Sequence, residues 1–215
     1  TDGGLTMRNT IKVNNHRLIS RSDLAAIADM IPHGAKILDL GCGSGRLLKA
    51  LKMLKDAKIM GVELDQGKII ECVRRGVPVI QSNLDGALPE FMDNSYDYVI
   101  LSRTLQAVMH PDLLLAEMLR IGNKGIISLM NFAHFDARLQ MMGGNMPVTR
   151  SLPVKWYETA NIHPGTLSDF RQLCADKKIR IVKEIPLAQP GDSLRFLAPV
   201  WPNLFASNCI FVVSK

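Results

Sequence analysis

KILDLGCGSG, residues 36–45, decides the fold. Its first half, KILDL, is an apolar run that reads as a buried strand, and Gly41, Gly43 and Gly45 follow at alternate positions. Glycine tolerates positive φ and lets a backbone turn tightly against a ligand with no Cβ in the way. Behind the turn, RLLKALKMLK sets Leu47, Leu48, Leu51 and Leu54 on one helical face. Strand, glycine turn and helix in that order make a nucleotide-binding unit. The start of the helix offers unpaired N–H groups and a partial positive charge.

The residues around the turn separate two ligand classes. A dinucleotide fingerprint, GxGxxG, needs a small third residue at position 46, where this chain has Arg46. Asp39 lies two residues before the first glycine. A carboxylate there repels a pyrophosphate, but it suits a ligand that carries an ammonium and a sulfonium, such as S-adenosylmethionine. The ribose hydroxyls of that ligand need an acid at the end of the second strand. Glu63, which ends KIMGVE, stands there. The third strand leads into QSNLDGALP, where Asn83 can donate to and accept from an adenine edge and Leu84 can flank the ring. Ser82 and Asp85 are further candidates. Cys42 in the turn, Leu64 after Glu63 and Ser102 at the end of the fourth strand complete the expected cofactor set. Plain structural readings stand beside these: Asp39 as a cap, Glu63 as a solvent-facing strand end, Asn83 as a turn residue.

The alternation continues along the chain. A helical pattern over residues 23–31 carries Leu24, Ile27 and Ile31, with Ser22 or Asp23 as its cap. KIMGVEL, VPVIQ, YDYVILS and KGIISLM read as strands two to five, with GKIIECVRRG and PDLLLAEMLRIG as helices between them. TLSDFRQLCADKK, capped by Thr166 or Ser168, is a further helix, and IRIVKEIPL and NCIFVVSK are the last two strands. Strands separated by helices pair in parallel through right-handed crossovers. The final two are joined by a loop alone and pair antiparallel. The expectation is an α/β fold: one doubly wound, mostly parallel seven-stranded sheet, Rossmann-like, with a reversed last strand. Residues 131–165, rich in glycine and proline, break the alternation and are expected as a long insertion over the carboxyl edge of the sheet. Residues 13–215 make the domain, and residues 1–12 read as a flexible leader, in part a remnant of cloning, without the apolar core of a signal peptide.

Composition bounds the partners. With 215 residues and 47% hydrophobic residues the chain can bury a sizeable core, and no run of about 18 apolar residues marks a membrane span. Net charge is +6, and Lys49, Lys52 and Lys55 share a helix face, but aromatics at 6% do not interleave with basic residues as a base-stacking platform requires. That face reads as solvated, with no nucleic-acid partner. Cys42, Cys72, Cys174 and Cys209 form no CxxC or Cys/His cluster, so no metal site is expected and a reducing cytoplasm fits.

ILDLGCGSG, GVELD, SNLD and FMDNSYDYVILSRTLQAV together resemble, in order and spacing, the class I S-adenosylmethionine-dependent methyltransferases. VILSRTLQAVMHPD, MPVTRSLPVKWYETANIHPGTLSDF and PNLFASNCIFVVSK narrow the resemblance to the MetW family of methionine biosynthesis proteins, over residues 13–215. Two positions depart from the family pattern: Asn83 where an acid is common, and Ala160 where a proline is usual. The resemblance implies S-adenosylmethionine as cofactor, S-adenosylhomocysteine as its product, and homoserine O-acyltransferase as partner.

Methyl transfer needs positioning and often a base. The candidates are Ser102, Arg103 and Gln106 after the fourth strand, and Asn131, His134, Trp156, Tyr157 and His163 in the insertion. Gln106 stands where many small-molecule methyltransferases have a histidine, and no residue is singled out as the base. Cys42 has the nucleophile's place beside a helix N-terminus, against the plainer reading of a small packed side chain. The chain has no GxSxG elbow for acyl transfer. Two functions follow. One is a methyltransferase acting on an unidentified small acceptor. The other is a non-catalytic partner that senses S-adenosylmethionine for the acyltransferase. The second predicts an exposed apolar patch built from Met141, Met142, Trp156 and Trp201.

Overall fold

The computed structural model describes residues 22–149, 151–159, 161–188 and 194–215. The expected leader over residues 1–12 and the departure at position 160 lie outside the described residues. A seven-stranded sheet organises the molecule: β1 (Lys36–Leu40), β2 (Lys58–Glu63), β3 (Val79–Gln81), β4 (Tyr96–Ser102), β5 (Gly122–Met130), β6 (Arg180–Leu187) and β7 (Asn208–Ser214). Their spatial order is β3-β2-β1-β4-β5-β7-β6. β1 to β5 pair in parallel, and β7 runs antiparallel between β5 and β6. The reversed last strand is as the sequence predicted.

The period of two along each strand sorts side chains to two cores. Leu38, Leu40, Val99, Leu101, Ile127 and Phe211 enter one cluster, while Ile37, Ile100, Ile126 and Ile210 enter the other. The helices divide accordingly. On the second face lie α1 (Ser22–Met30), α2 (Arg46–Lys55) and α3 (Gln66–Arg74); on the first lie α4 (Pro111–Ile121) and α6 (Leu167–Asp176). α2 buries Leu47, Leu48 and Leu51 as its leucine spacing requires, each contributing about 1.5–3 kcal/mol of transfer free energy. Leu54 is partly buried at the margin of that cluster.

Local signals set the boundaries. Asp65 caps α3 by accepting from Lys68 N–H at 2.9 Å. Thr166, not Ser168, caps α6 in a reciprocal box: its hydroxyl accepts from Asp169 N–H at 3.1 Å and the Asp169 carboxylate from Thr166 N–H at 2.9 Å. At α1 the cap prediction is overturned for both candidates, because Ser22 and Asp23 already lie inside the helix. Asp23 is buried and accepts from Ser128 Oγ at 3.1 Å on β5. The insertion is also less irregular than expected, since α5 (Phe135–Met142) occupies its first part. A short helix, α7 (Pro202–Phe205), precedes β7. No helix among the described residues is long and apolar enough to cross a membrane.

Candidate functional site

The parallel strands bring β1, β2, β3 and β4 to a common carboxyl edge, and the glycine turn crosses it. Val62 carbonyl oxygen accepts both Gly41 N–H at 2.8 Å and Cys42 N–H at 3.0 Å, which closes the turn onto β2. All three glycines have positive φ: +77° at Gly41, +55° at Gly43 and +73° at Gly45. Their surroundings differ. A Cβ at Gly41 would lie 2.6 Å from Thr104 Oγ1, and one at Gly45 would lie 2.9 Å from Cys72 Sγ. At Gly43 a Cβ would meet nothing within 4 Å, so this glycine alone leaves open space before it.

Glu63 is buried, not solvent-facing. Its Oε2 accepts Gly43 N–H at 2.8 Å, and its Oε1 accepts Leu64 N–H at 3.0 Å and Asp65 N–H at 3.1 Å. Three donors leave part of the acceptor capacity of the carboxylate unused on the Oε2 side. Asp39 lies in β1, in register with Gly61 and Ile100, and is 2% exposed. It is the fourth residue of β1. Asp39 and Glu63 both act electrostatically on Cys42, which sits between them at the turn.

Cys42 itself turns inward. Its Sγ lies 3.9 Å from Cys72 Sγ, and a Cβ on Gly61 would approach it to 2.6 Å. Burial, then the negative charge of Asp39, pushes its thiol far above the ordinary range. The nucleophile reading fails for that reason: desolvation outweighs any help from the helix N-terminus. Among the described residues no group of three or more His, Cys, Asp or Glu could hold a metal ion.

From behind, α3 grips the turn. Cys72 Sγ donates to Gly43 carbonyl oxygen at 3.1 Å, and Arg75 Nη1 donates to Ser44 carbonyl oxygen at 2.8 Å while pairing with Glu71. Sequence reasoning missed both residues. The clue available was only that α3 follows Glu63 directly and must pack beside the turn.

Past β3, Asn83 is exposed, and its Oδ1 accepts Asp85 N–H at 3.0 Å, a turn bond that leaves its amide N–H groups available. Asp85 Oδ1 accepts Met109 N–H at 2.6 Å, tying this loop to the one after β4. Leu84 packs partly buried against the core, whereas Leu64 is exposed. Ser102, half-buried, ends β4 beside β1.

A family model for the methionine biosynthesis protein MetW matches residues 21–213. This chain belongs to the MetW family. A bifunctional methionine biosynthesis protein MetXA/MetW from Rhodopirellula baltica is 36% identical over 173 residues. That alignment covers 76% of this chain but 28% of the relative, so the chain spans under a third of the relative's length. The fold is similar to that of an S-adenosylmethionine-dependent methyltransferase from Mesorhizobium loti, with TM-score 0.68 and 16% identity, over 92% of this chain and 100% of that one. It is similar also to an S-adenosylmethionine-dependent methyltransferase from Thermotoga maritima, with TM-score 0.65 and 20% identity, over 94% and 91% of the two chains.

In this MetW-family chain the polar residues proposed for catalysis are mostly engaged in holding the edge together. Gln106 is buried; its Nε2 donates to Met130 carbonyl at 3.1 Å and His163 carbonyl at 3.3 Å, and its Oε1 accepts Met130 N–H at 2.7 Å. It acts as a strand surrogate beyond the end of β4. Asn131 Nδ2 donates to the carbonyls of Asn203 at 3.0 Å and Ala206 at 2.8 Å, and its Oδ1 accepts Ala133 N–H at 3.0 Å. Arg103, at φ +61°, sets its Nε 3.5 Å from Asp23 Oδ2. Because Asp23 is buried, this is a partly buried ion pair, not a surface one.

The insertion divides between exposed side chains and the lining of a cavity. His163 is exposed, and its backbone N–H donates to Gln106 carbonyl at 2.7 Å. Trp156 and Tyr157 are exposed and pack edge to face, 5.7 Å between centroids. His134 is buried against Phe135, at 4.5 Å between ring centroids. It borders a cavity of about 200 Å³ that Asn131, Ser151, Leu152 and Ser207 also line.

Proposed function

We propose that this chain binds S-adenosylmethionine and its product S-adenosylhomocysteine across the carboxyl ends of β1 to β4, and that it serves methionine biosynthesis as a ligand-binding partner of homoserine O-acyltransferase. The open space before Gly43 supports the ligand site, because it is the one glycine of the turn whose Cβ position no protein atom fills. Glu63 would accept the ribose hydroxyls, and Asp39 would balance the positive charge of the ligand. The available amide N–H groups of Asn83 would meet the adenine edge, with Leu84 beside it. When bound, the ligand supplies an electrophilic methyl on a sulfonium. The protein supplies orientation.

The observation that carries the partner role is the exposure of Met142 at 84%, Trp156 at 69%, Trp201 at 66% and Met141 at 58%. Exposure of all four is what a partner module requires and a closed enzyme pocket does not. Gln106 and Asn131, which could have converged on a methyl group, are engaged by backbone instead. The name of the Rhodopirellula baltica relative joins MetXA to MetW, which supports a working link to the acyltransferase. Calorimetric titration with S-adenosylmethionine and S-adenosylhomocysteine, with and without the acyltransferase, tests the reading. Binding together with a change in acyl transfer supports it, and the absence of both overturns it.

A second reading is methyl transfer to a small acceptor. The cavity beside His134 favours it, because histidine and serine side chains there could orient a polar molecule. Transfer of a labelled methyl group from S-adenosylmethionine to a small molecule in a metabolite extract would establish it.

A further inference from the structure

We infer that the apolar face built from α5, residues 143–149 and 151–159, and residues 194–205 is the docking surface for homoserine O-acyltransferase. This inference rests on the partner reading above and adds where the partner sits. Met141, Met142, Trp156, Tyr157, Val200 and Trp201 are each more than half exposed. Methionine and aromatic side chains are the types enriched at the centres of protein interfaces, and tryptophan and tyrosine recur as the residues that carry binding energy.

Contacts tie these segments to one edge of the sheet. α5 leaves the carboxyl end of β5, and residues 194–205 lead into the antiparallel start of β7, so both lie at the same edge. Phe135 of α5 meets Phe205 at 6.1 Å, and Phe205 stacks on Trp201 at 6.5 Å. Gln140 of α5 holds Val148 by two bonds, accepting its N–H at 2.9 Å and donating to its carbonyl at 3.2 Å. Asn208 on β7 donates through Nδ2 to Ser151 Oγ at 3.5 Å, five residues before Trp156.

The face is also held in place before any partner arrives. Asn131 bonds the carbonyls of Asn203 and Ala206, and the Trp156 ring rests on Tyr157. Anchors ordered in advance lose less entropy on binding. The relative from Rhodopirellula baltica bears both MetXA and MetW in its name. That pairing favours the acyltransferase as the occupant over a second copy of this chain.

The test mixes this chain and homoserine O-acyltransferase of the same organism as separate polypeptides and measures affinity by calorimetry and size by light scattering. Met142→Glu, Trp156→Glu and Trp201→Glu are compared with Met53→Glu, a control on α2 where an exposed methionine lies on another surface. Each face variant is expected to weaken association at least tenfold, with S-adenosylmethionine affinity and thermal midpoint unchanged, while the control binds as the parent does. Undiminished association in all three face variants would overturn the surface and leave the partner reading intact. No association of the parent chain, with or without S-adenosylmethionine, would overturn both. A dimer of this chain that the face variants dissociate, with acyltransferase binding unaffected, would assign the face to self-association instead.

Discussion

Glu63 accepts the backbone N–H of Gly43 at 2.8 Å, joining the end of the second strand to the centre of the glycine turn across twenty residues of chain. One carboxylate therefore shapes the turn, and in the proposed site it would also accept a ligand's hydroxyls. Glu63→Gln tests the pair of roles. An amide has one acceptor oxygen, so its NH₂ must oppose either Gly43 N–H or the N–H groups of Leu64 and Asp65. The expected cost is about 1–3 kcal/mol in denaturant unfolding, with S-adenosylmethionine affinity falling at least tenfold by calorimetry. Retention of both values would remove Glu63 from the site.

Gly41 and Gly43 should differ in what a substitution costs. Gly41→Ala drives a Cβ against Thr104 and should destabilise the fold by about 2 kcal/mol or more, since strain at positive φ adds to overpacking. Gly43→Ala has room, so its cost is the left-handed backbone alone, about 1–2 kcal/mol. Gly43→Leu should keep the fold and abolish S-adenosylmethionine binding. Normal binding by that variant would put the ligand elsewhere.

The grip of α3 on the turn makes a separate expectation about cysteine chemistry. Burial holds the Cys72 thiol above its ordinary value, so it stays protonated at neutral pH and keeps donating to Gly43. Cys42 and Cys209 are pushed further up by burial, and Cys174 to about 11. At pH 7.5 the native chain should react slowly with a disulfide reagent at all four cysteines and rapidly once unfolded. Fast labelling of Cys42 in the native state would contradict its inward orientation. Arg75→Met should weaken S-adenosylmethionine binding several-fold with little change in thermal midpoint, because Arg75 is partly exposed and its bond to Ser44 shapes the turn more than the core.

Features governed by local pattern were legible in the sequence. The leucines of α2, the alternation of Ile37 and Leu38 in β1, and the box at Thr166 each follow from a few neighbouring residues. So did the places of Asp39, Gly43 and Glu63 around one turn, because strand–turn–helix order fixes them. α5 escaped because FDARLQMM buries only Ala137 and shows no apolar face; Asp136 in its first turn and Gly143 after its end were the remaining signals. The roles of Gln106 and Asn131 were not readable because their partners lie 24 and 75 residues away, at Met130 and Ala206. Asp23 resembled a cap for the same reason: Ser128, its partner, is 105 residues distant.

The loop between β3 and β4 is fastened by Arg120, and that fastening sets a pH limit. Arg120 donates to the carbonyls of Phe91 at 2.9 Å and Leu88 at 3.1 Å, and it pairs with Glu117 through Nε at 2.8 Å and Nη2 at 2.9 Å. Hydrogen bonding from Arg120, with Leu88 N–H as a further donor, lowers the Glu117 carboxyl below its ordinary value in the folded chain, against the opposing effect of burial. A carboxylate depressed on folding stabilises fully above its unfolded pKa, and that contribution is lost as pH falls through the folded value. The thermal midpoint should therefore drop as the solution is acidified below about pH 4.5, the ordinary value for the group. Glu117→Gln should be less stable than the parent at pH 7 by about 1 kcal/mol, and the gap should close as the parent's carboxylate protonates. A gap that persists unchanged to pH 2.5 would mean that the pair contributes through packing alone.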